Sequence, residues 1–249
     1  MDFSHKEPMR KLIGCLLFMS LLGAGASRAQ DSLEGPKEKR EWIVLSGGPA
    51  LWKWEKDKPS PHDLAWDNFI FTAGLRWEQI QAEARPDDIK TWIIYKPGYV
   101  ARGQTDGQDY IAKIEEKARK LGVTVLWFSH QNNKQDELID YINNGQDRTK
   151  IKIINFDYFG HSNKACFMFD YSSEIDGVST DWLHMADLKK FNRDAFDASA
   201  TCKSYGCHSA DGFTDKWYKA TGTRMIGTKG KTDYSARNWP VPTKGAVWE

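Results

Sequence analysis

Short apolar runs and helix-periodic segments alternate along most of this chain. The first run is Trp42-Ile43-Val44-Leu45, ended by Ser46-Gly47-Gly48-Pro49. It predicts a buried strand and a turn. Residues 52–63, with Pro59 and Pro61, predict a loop. From Trp66 to Ala84 apolar residues return at helical spacing through Phe69, Ile70, Ala73, Leu75, Trp77 and Ile80. Thr91-Trp92-Ile93-Ile94-Tyr95 predicts a second strand, stopped by Pro97-Gly98. Asp109 to Leu121 reads as a helix with Ile111, Ile114 and Ala118 inward and Gly122 as its C-terminal cap. Val123 to Phe128 is a third strand. A helix follows over Asn133 to Asn143, with Leu138, Ile139 and Ile142 inward, and then a fourth strand over Ile151 to Phe156.

Beyond residue 160 the pattern loosens. Cys166 to Tyr171 predicts an extended segment, one arm of a hairpin, and Ser172 to Ser179 a loop. Trp182 to Lys190 predicts a short helix carrying Leu183, His184 and Leu188. Phe196 to Tyr205 predicts a strand of small and polar residues, in which Lys203 sits awkwardly if both faces are buried. A helix over Asp211 to Thr221 and a last strand around Met225-Ile226-Gly227 complete the series. Such alternation predicts a three-layer α/β domain with helices on both faces of a mainly parallel sheet. Its strands are expected at 42–46, 91–95, 124–128, 151–156, 197–205 and 224–227. No internal repeat or linker divides the chain, so one domain is expected over 42–249.

Composition narrows this picture. The chain has 249 residues, 40% hydrophobic and 28% charged, with a formal net charge of +1. That balance offers no field to attract nucleic acid or an anionic membrane surface. Eleven Trp imply a dense core or an aromatic-lined groove. Lys6, Arg10 and Lys11 precede an apolar stretch, Leu12 to Ala26, and Ser27-Arg28-Ala29 fits a small-x-small cleavage site. A signal peptide over 1–29 is expected, with a disordered polar lead-in over 30–41 and export to the periplasm or the exterior. The apolar stretch is short beside the about 20 residues a membrane span needs, and no span is expected in the mature chain. Leu12-Ile13-Gly14-Cys15 resembles a lipoprotein box, but the apolar stretch follows it instead of preceding it.

The strand at 151–156 leads to Gly160-His161-Ser162, and the one at 196–205 leads to Gly206-Cys207-His208-Ser209. An imidazole and a thiol thus each follow a glycine just past a strand end. In an open parallel sheet those ends share one edge, where ligands bind. A thiol beside an imidazole suffices for nucleophilic catalysis by cysteine. Plainer readings exist: His161 as a turn residue bonded to a loop carbonyl, Cys166 and Cys202 as small buried hydrophobes, His184 and His208 as surface residues. Three mature cysteines leave an odd thiol after any one disulfide. His161, His184, His208, Cys207 and Asp157 carry metal-ligating atoms, but none has the tight spacing of a zinc site. No P-loop, G-x-G-x-x-G after a strand or G-x-S-x-G elbow occurs, so neither cofactor nor metal is expected.

Tyr205-Gly206-Cys207-His208-Ser209, a helix, Thr221-Gly222 and a final strand, together with the earlier strand ending in Gly160-His161, resemble the caspase/gingipain-type (clan CD) cysteine peptidases. The likeness is closest to compact bacterial secreted forms and covers about Val123 to Thr232. It implies the caspase-like fold with flavodoxin-like strand order. It also implies an endopeptidase acting on a protein or peptide, with Cys207 as nucleophile and His161 as general acid/base. The backbone N–H groups of Ser162 and Cys207 would hold the oxyanion. The family usually has Gly where this chain has Ser162, and a more apolar strand than Ser199-Ala200-Thr201-Cys202. The second departure leaves Cys202 as an alternative nucleophile. Two further readings stay open: an inactive caspase-like module binding a protein or glycan through Trp52, Trp54 and Trp66, and a hydrolase of another kind on such a sheet.

Overall fold

The computed structural model describes residues 38–50, 65–129, 136–170 and 181–249. The signal peptide expected over 1–29, the loops expected at 52–63 and 172–179 and the first residues of the helix expected at 133–143 lie outside the described residues.

Six strands form one parallel sheet: β1 (Arg40–Ser46), β2 (Ile89–Tyr95), β3 (Thr124–Phe128), β4 (Lys152–Phe159), β8 (Phe196–Ser204) and β9 (Met225–Ile226). Three shorter strands, β5 (His161–Ser162), β6 (Cys166–Asp170) and β7 (Asp181–His184), make a separate antiparallel sheet after β4. The large sheet runs β3-β2-β1-β4-β8-β9. This corrects the expected flavodoxin-like order: the strands follow the doubly wound 3-2-1-4-5-6 pattern instead of 2-1-3-4-5. The order reverses between β1 and β4, and a crevice opens at the carboxyl ends of strands at such a point.

The strands are apolar on both faces because helices cover both. Ile43 and Leu45 of β1, Ile93 of β2 and Phe156 of β4 face one layer, with α4 (Asp136–Asn144) and α5 (Phe213–Thr221) over them. Leu138, Ile139, Ile142, Phe213 and Trp217 are the helical side of that core. Trp42 and Val44, with Trp92 and Ile94, face the other layer, made by α1 (Asn68–Glu83), α2 (Lys96–Asp106) and α3 (Tyr110–Lys120). Phe69, Ile70, Ala73, Trp77 and Ile80 give α1 its buried stripe. Trp42, Trp77, Trp92 and Trp217 are all core residues. Much of the Trp content is therefore packing, each side chain removing a large apolar surface from water. Trp66 stacks on Tyr110 with centroids 3.9 Å apart, so one of its faces is occupied.

The lead-in expected to be disordered over 30–41 is already ordered at its end, where Arg40 and Glu41 pair within β1, and three further elements differ from the sequence expectation. Lys96 to Asp106 forms α2 where Pro97-Gly98 suggested a stop; the proline lies in the first turn, where its missing N–H costs nothing. Asp181 to His184 forms β7 where a helix was expected, because it pairs with β6 and buries alternate residues; only Leu188–Lys190 is helical, as a 3₁₀ turn. The helix expected from Asp211 begins at Phe213, after a 3₁₀ turn over Ser209–Asp211. Beyond β9, the chain forms two small antiparallel pairs, β10 (Thr228–Lys229) with β13 (Val247–Trp248) and β11 (Thr232–Asp233) with β12 (Val241–Pro242). Among the described residues, no helix is long and apolar enough to cross a membrane.

Candidate active site

β4 and β8 are parallel neighbours, with Tyr158 opposite Ser204 as their last ladder pair. The pairing carries on as Tyr205 N–H donates to the Tyr158 carbonyl at 2.9 Å. Two residues further along each chain stand Gly160 and Gly206, followed at once by His161 and Cys207. The strands lie about 4.8 Å apart in such a ladder, so the two turns begin side by side. They then touch. The Ser162 hydroxyl donates to the Cys207 carbonyl at 2.6 Å. A Cβ on Gly206 would collide with the Ser162 side chain and lie 3.1 Å from the Gly160 carbonyl oxygen. Only glycine lets these backbones approach so closely.

The path of the first turn is fixed from below. A Cβ on Gly160 would strike the Tyr158 phenol, and that phenol donates to the His161 carbonyl at 2.6 Å. His161 and Ser162 then pair with Met168 and Phe167 of β6. Asn163 N–H donates to the Cys166 carbonyl at 3.0 Å. Antiparallel pairs alternate between hydrogen-bonded and open, so Ser162–Phe167 is an open pair. The Ser162 N–H consequently points out of the β5–β6 ladder.

The His161 ring meets Phe69 of α1 edge-on, centroids 5.0 Å apart. It lines a closed crevice, too tight for a water molecule, with Pro49, Ala50, Ala65, Asn68 and Phe69. This crevice adjoins the reversal between β1 and β4. Cys207 is half-buried. Its sulfur accepts a hydrogen bond from the Thr232 N–H at 3.3 Å, and its thiol donates to the Thr232 carbonyl at 3.9 Å. Between Cys207 and α5 lies a 3₁₀ turn, Ser209–Asp211.

The other candidates sit elsewhere. Cys202 is buried in β8 against Met225 and Trp217. Burial pushes its thiol up to about 12, against the pull of a contact with the Thr223 hydroxyl at 3.5 Å. Cys166 is buried in β6; burial raises its thiol too, while Asn163 opposes. All three described cysteines are free thiols. His208 adopts a left-handed backbone, and its Nδ1 lies 2.8 Å from Asp211 Oδ2 on the surface. His184 Nδ1 accepts from the Ala186 N–H within its own turn. Asp157 is inside the fold, paired with Arg76 at 2.6 Å and bonded by Asn155 at 2.9 Å. Among the described residues, no group of three or more His, Cys, Asp or Glu is arranged to hold a metal ion.

Sequence reasoning missed Phe69, Thr232 and Tyr234. Thr232 contributes a backbone amide, which no residue type announces. Tyr234 and Phe69 are aromatic, yet nothing in their spacing ties them to the two turns. No protein-family model, curated protein or solved structure matches this chain.

Proposed function

We propose that this chain is an exported cysteine endopeptidase of caspase-like type, with Cys207 as nucleophile and His161 as general acid/base. One observation carries the reading: the turns bearing these residues are bonded together, Ser162 Oγ to the Cys207 carbonyl at 2.6 Å, at the carboxyl edge of adjacent parallel strands. The Cys207 thiolate attacks the scissile carbonyl carbon and forms a C–S bond, and the carbonyl electron pair moves onto oxygen. The Ser162 N–H, outside its ladder, and the Cys207 N–H donate to that oxyanion. Collapse breaks the C–N bond, and protonated His161 gives its proton to the leaving amine. Water, deprotonated by His161, then attacks the thioester and releases the acid and the thiolate.

Cys202 is the weaker nucleophile, since a thiol held protonated in the core neither ionises near neutral pH nor meets substrate. The test is active-site labelling by an acyloxymethyl ketone peptide, with cleavage of an unfolded protein as second readout. Labelling of Cys207 that disappears in His161→Ala supports the proposal. A reduced, folded protein that neither labels nor cleaves returns the chain to the reading of an inactive module that binds a protein or glycan partner.

A further inference from the structure

The segment after β9 returns to the two turns from outside the sheet. Thr232 touches the Cys207 sulfur through its N–H. Two residues later the Tyr234 side chain is buried, and its hydroxyl donates to the Tyr205 carbonyl at 2.9 Å. Tyr205 is two residues before Cys207. The Tyr234 ring also stands edge-on to Phe69 at 5.0 Å, and Phe69 stands edge-on to the His161 ring at 5.0 Å. The phenol thus holds the strand end that carries the cysteine. Through Phe69 it also backs the imidazole.

We propose that Tyr234 is a positioning residue: its hydroxyl clasps the end of β8 while its ring backs Phe69 against His161, setting the spacing of His161 and Cys207 and seating the Thr232 amide on the sulfur. The inference rests on the peptidase reading of Cys207 and His161. Tyr234 does no chemistry itself. Burial keeps its phenol protonated well above the ordinary range, so it remains a donor at all working pH values.

The experiment measures iodoacetamide alkylation of Cys207 by peptide mass spectrometry against pH, in the full-length chain. In the wild type, the alkylation midpoint should lie below the ordinary thiol value of about 8.5. Tyr234→Phe keeps the ring and removes the clasp. It should raise the midpoint by about one unit and slow alkylation at pH 7 by about tenfold. Catalytic turnover of the unfolded-protein substrate should fall with little change in KM. If Tyr234→Phe fails to fold, 4-aminophenylalanine at 234 restores a donor at the same place. A folded protein with the wild-type midpoint then supports the clasp, and a raised midpoint overturns it. If His161→Ala shifts the profile while folded Tyr234→Phe leaves it at the wild-type value, the clasp is overturned and the dyad survives. If the wild-type thiol titrates as an ordinary cysteine and ignores His161→Ala, the peptidase reading falls, and the inference with it.

Discussion

At the scale of residues, the site depends on small distances between two glycine turns. Gly206 packs on the Ser162 side chain and Gly160 backbone. Gly206→Ala should therefore force the turns apart, costing about 1–3 kcal/mol in stability by overpacking and most of the Cys207 reactivity. Urea unfolding and thiol labelling on one preparation check both, and a variant with wild-type values on each would show that the contact is loose. Cys202→Ala should behave oppositely. Its thiol lies in the core cluster with Met225 and Trp217, so stability should drop by about 1 kcal/mol, or about 2–4 °C in Tm for a domain this size, with Cys207 labelling retained. Loss of labelling in a folded Cys202→Ala protein would move the nucleophile to Cys202. His161 and Cys207 were legible in the sequence because each follows a glycine at a strand end. Thr232 and Tyr234 were not. One meets the site through its backbone, the other through a hydroxyl on the Tyr205 carbonyl, a contact that forms only when the tail returns to the sheet.

At the scale of elements, periodicity located the six long-sheet strands but misjudged segments whose state depends on a neighbour. Asp181 to His184 carries a pattern short enough to suit either state, and pairing with β6 decides it as a strand. β8 was the least strand-like run, with Lys203 near its end. The structure seats that ammonium over the Tyr205 and Trp248 rings, 4.7 and 4.2 Å from their centroids, and near the Asp157 charge. Neither Trp248 nor Asp157 is close to it in sequence. The start of β1 is fixed to α4 by a similar long-range device. Glu41 is fully buried, bonded to Arg148 at 2.5 Å and to the Tyr141 hydroxyl at 2.7 Å. Glu41→Ala should cost about 3–5 kcal/mol, because it strands a buried guanidinium. A loss below about 1 kcal/mol in chemical denaturation would mean that water reaches Arg148 and replaces the carboxylate.

At the scale of the whole molecule, the three-layer parallel architecture was readable from the alternation of runs, while the strand order was not. Periodicity tells which residues are buried, and says nothing about which way each crossover steps along the sheet. The order matters because it sets the reversal beside β4, and so puts His161 at the crevice. The opposite, amino edge of the sheet governs acid tolerance. Burial disfavours the Asp88 charge, but Arg40, Trp42 and Arg85 all bond the carboxylate and hold it well below the usual range. A depressed carboxylate stabilises the fold fully above its unfolded value of about 3.9 and loses that contribution as pH falls toward the folded value. Asp88→Asn should lower stability at pH 7 and flatten its decline below about pH 4. Equal slopes in wild type and variant would remove Asp88 as the source. The return of residues 232–234 to the two turns also has a temporal meaning. A ribosome translates His161 and Cys207 before it reaches the amide and phenol that prepare them. If the tail prepares the dyad as proposed, a nascent chain stalled just past Ile226 holds an ordinary thiol, and reactivity arrives only when the tail is made. Thiol labelling of stalled chains of increasing length should step upward once Tyr234 has cleared the exit tunnel, and a step at Cys207 itself would deny the tail that timing role.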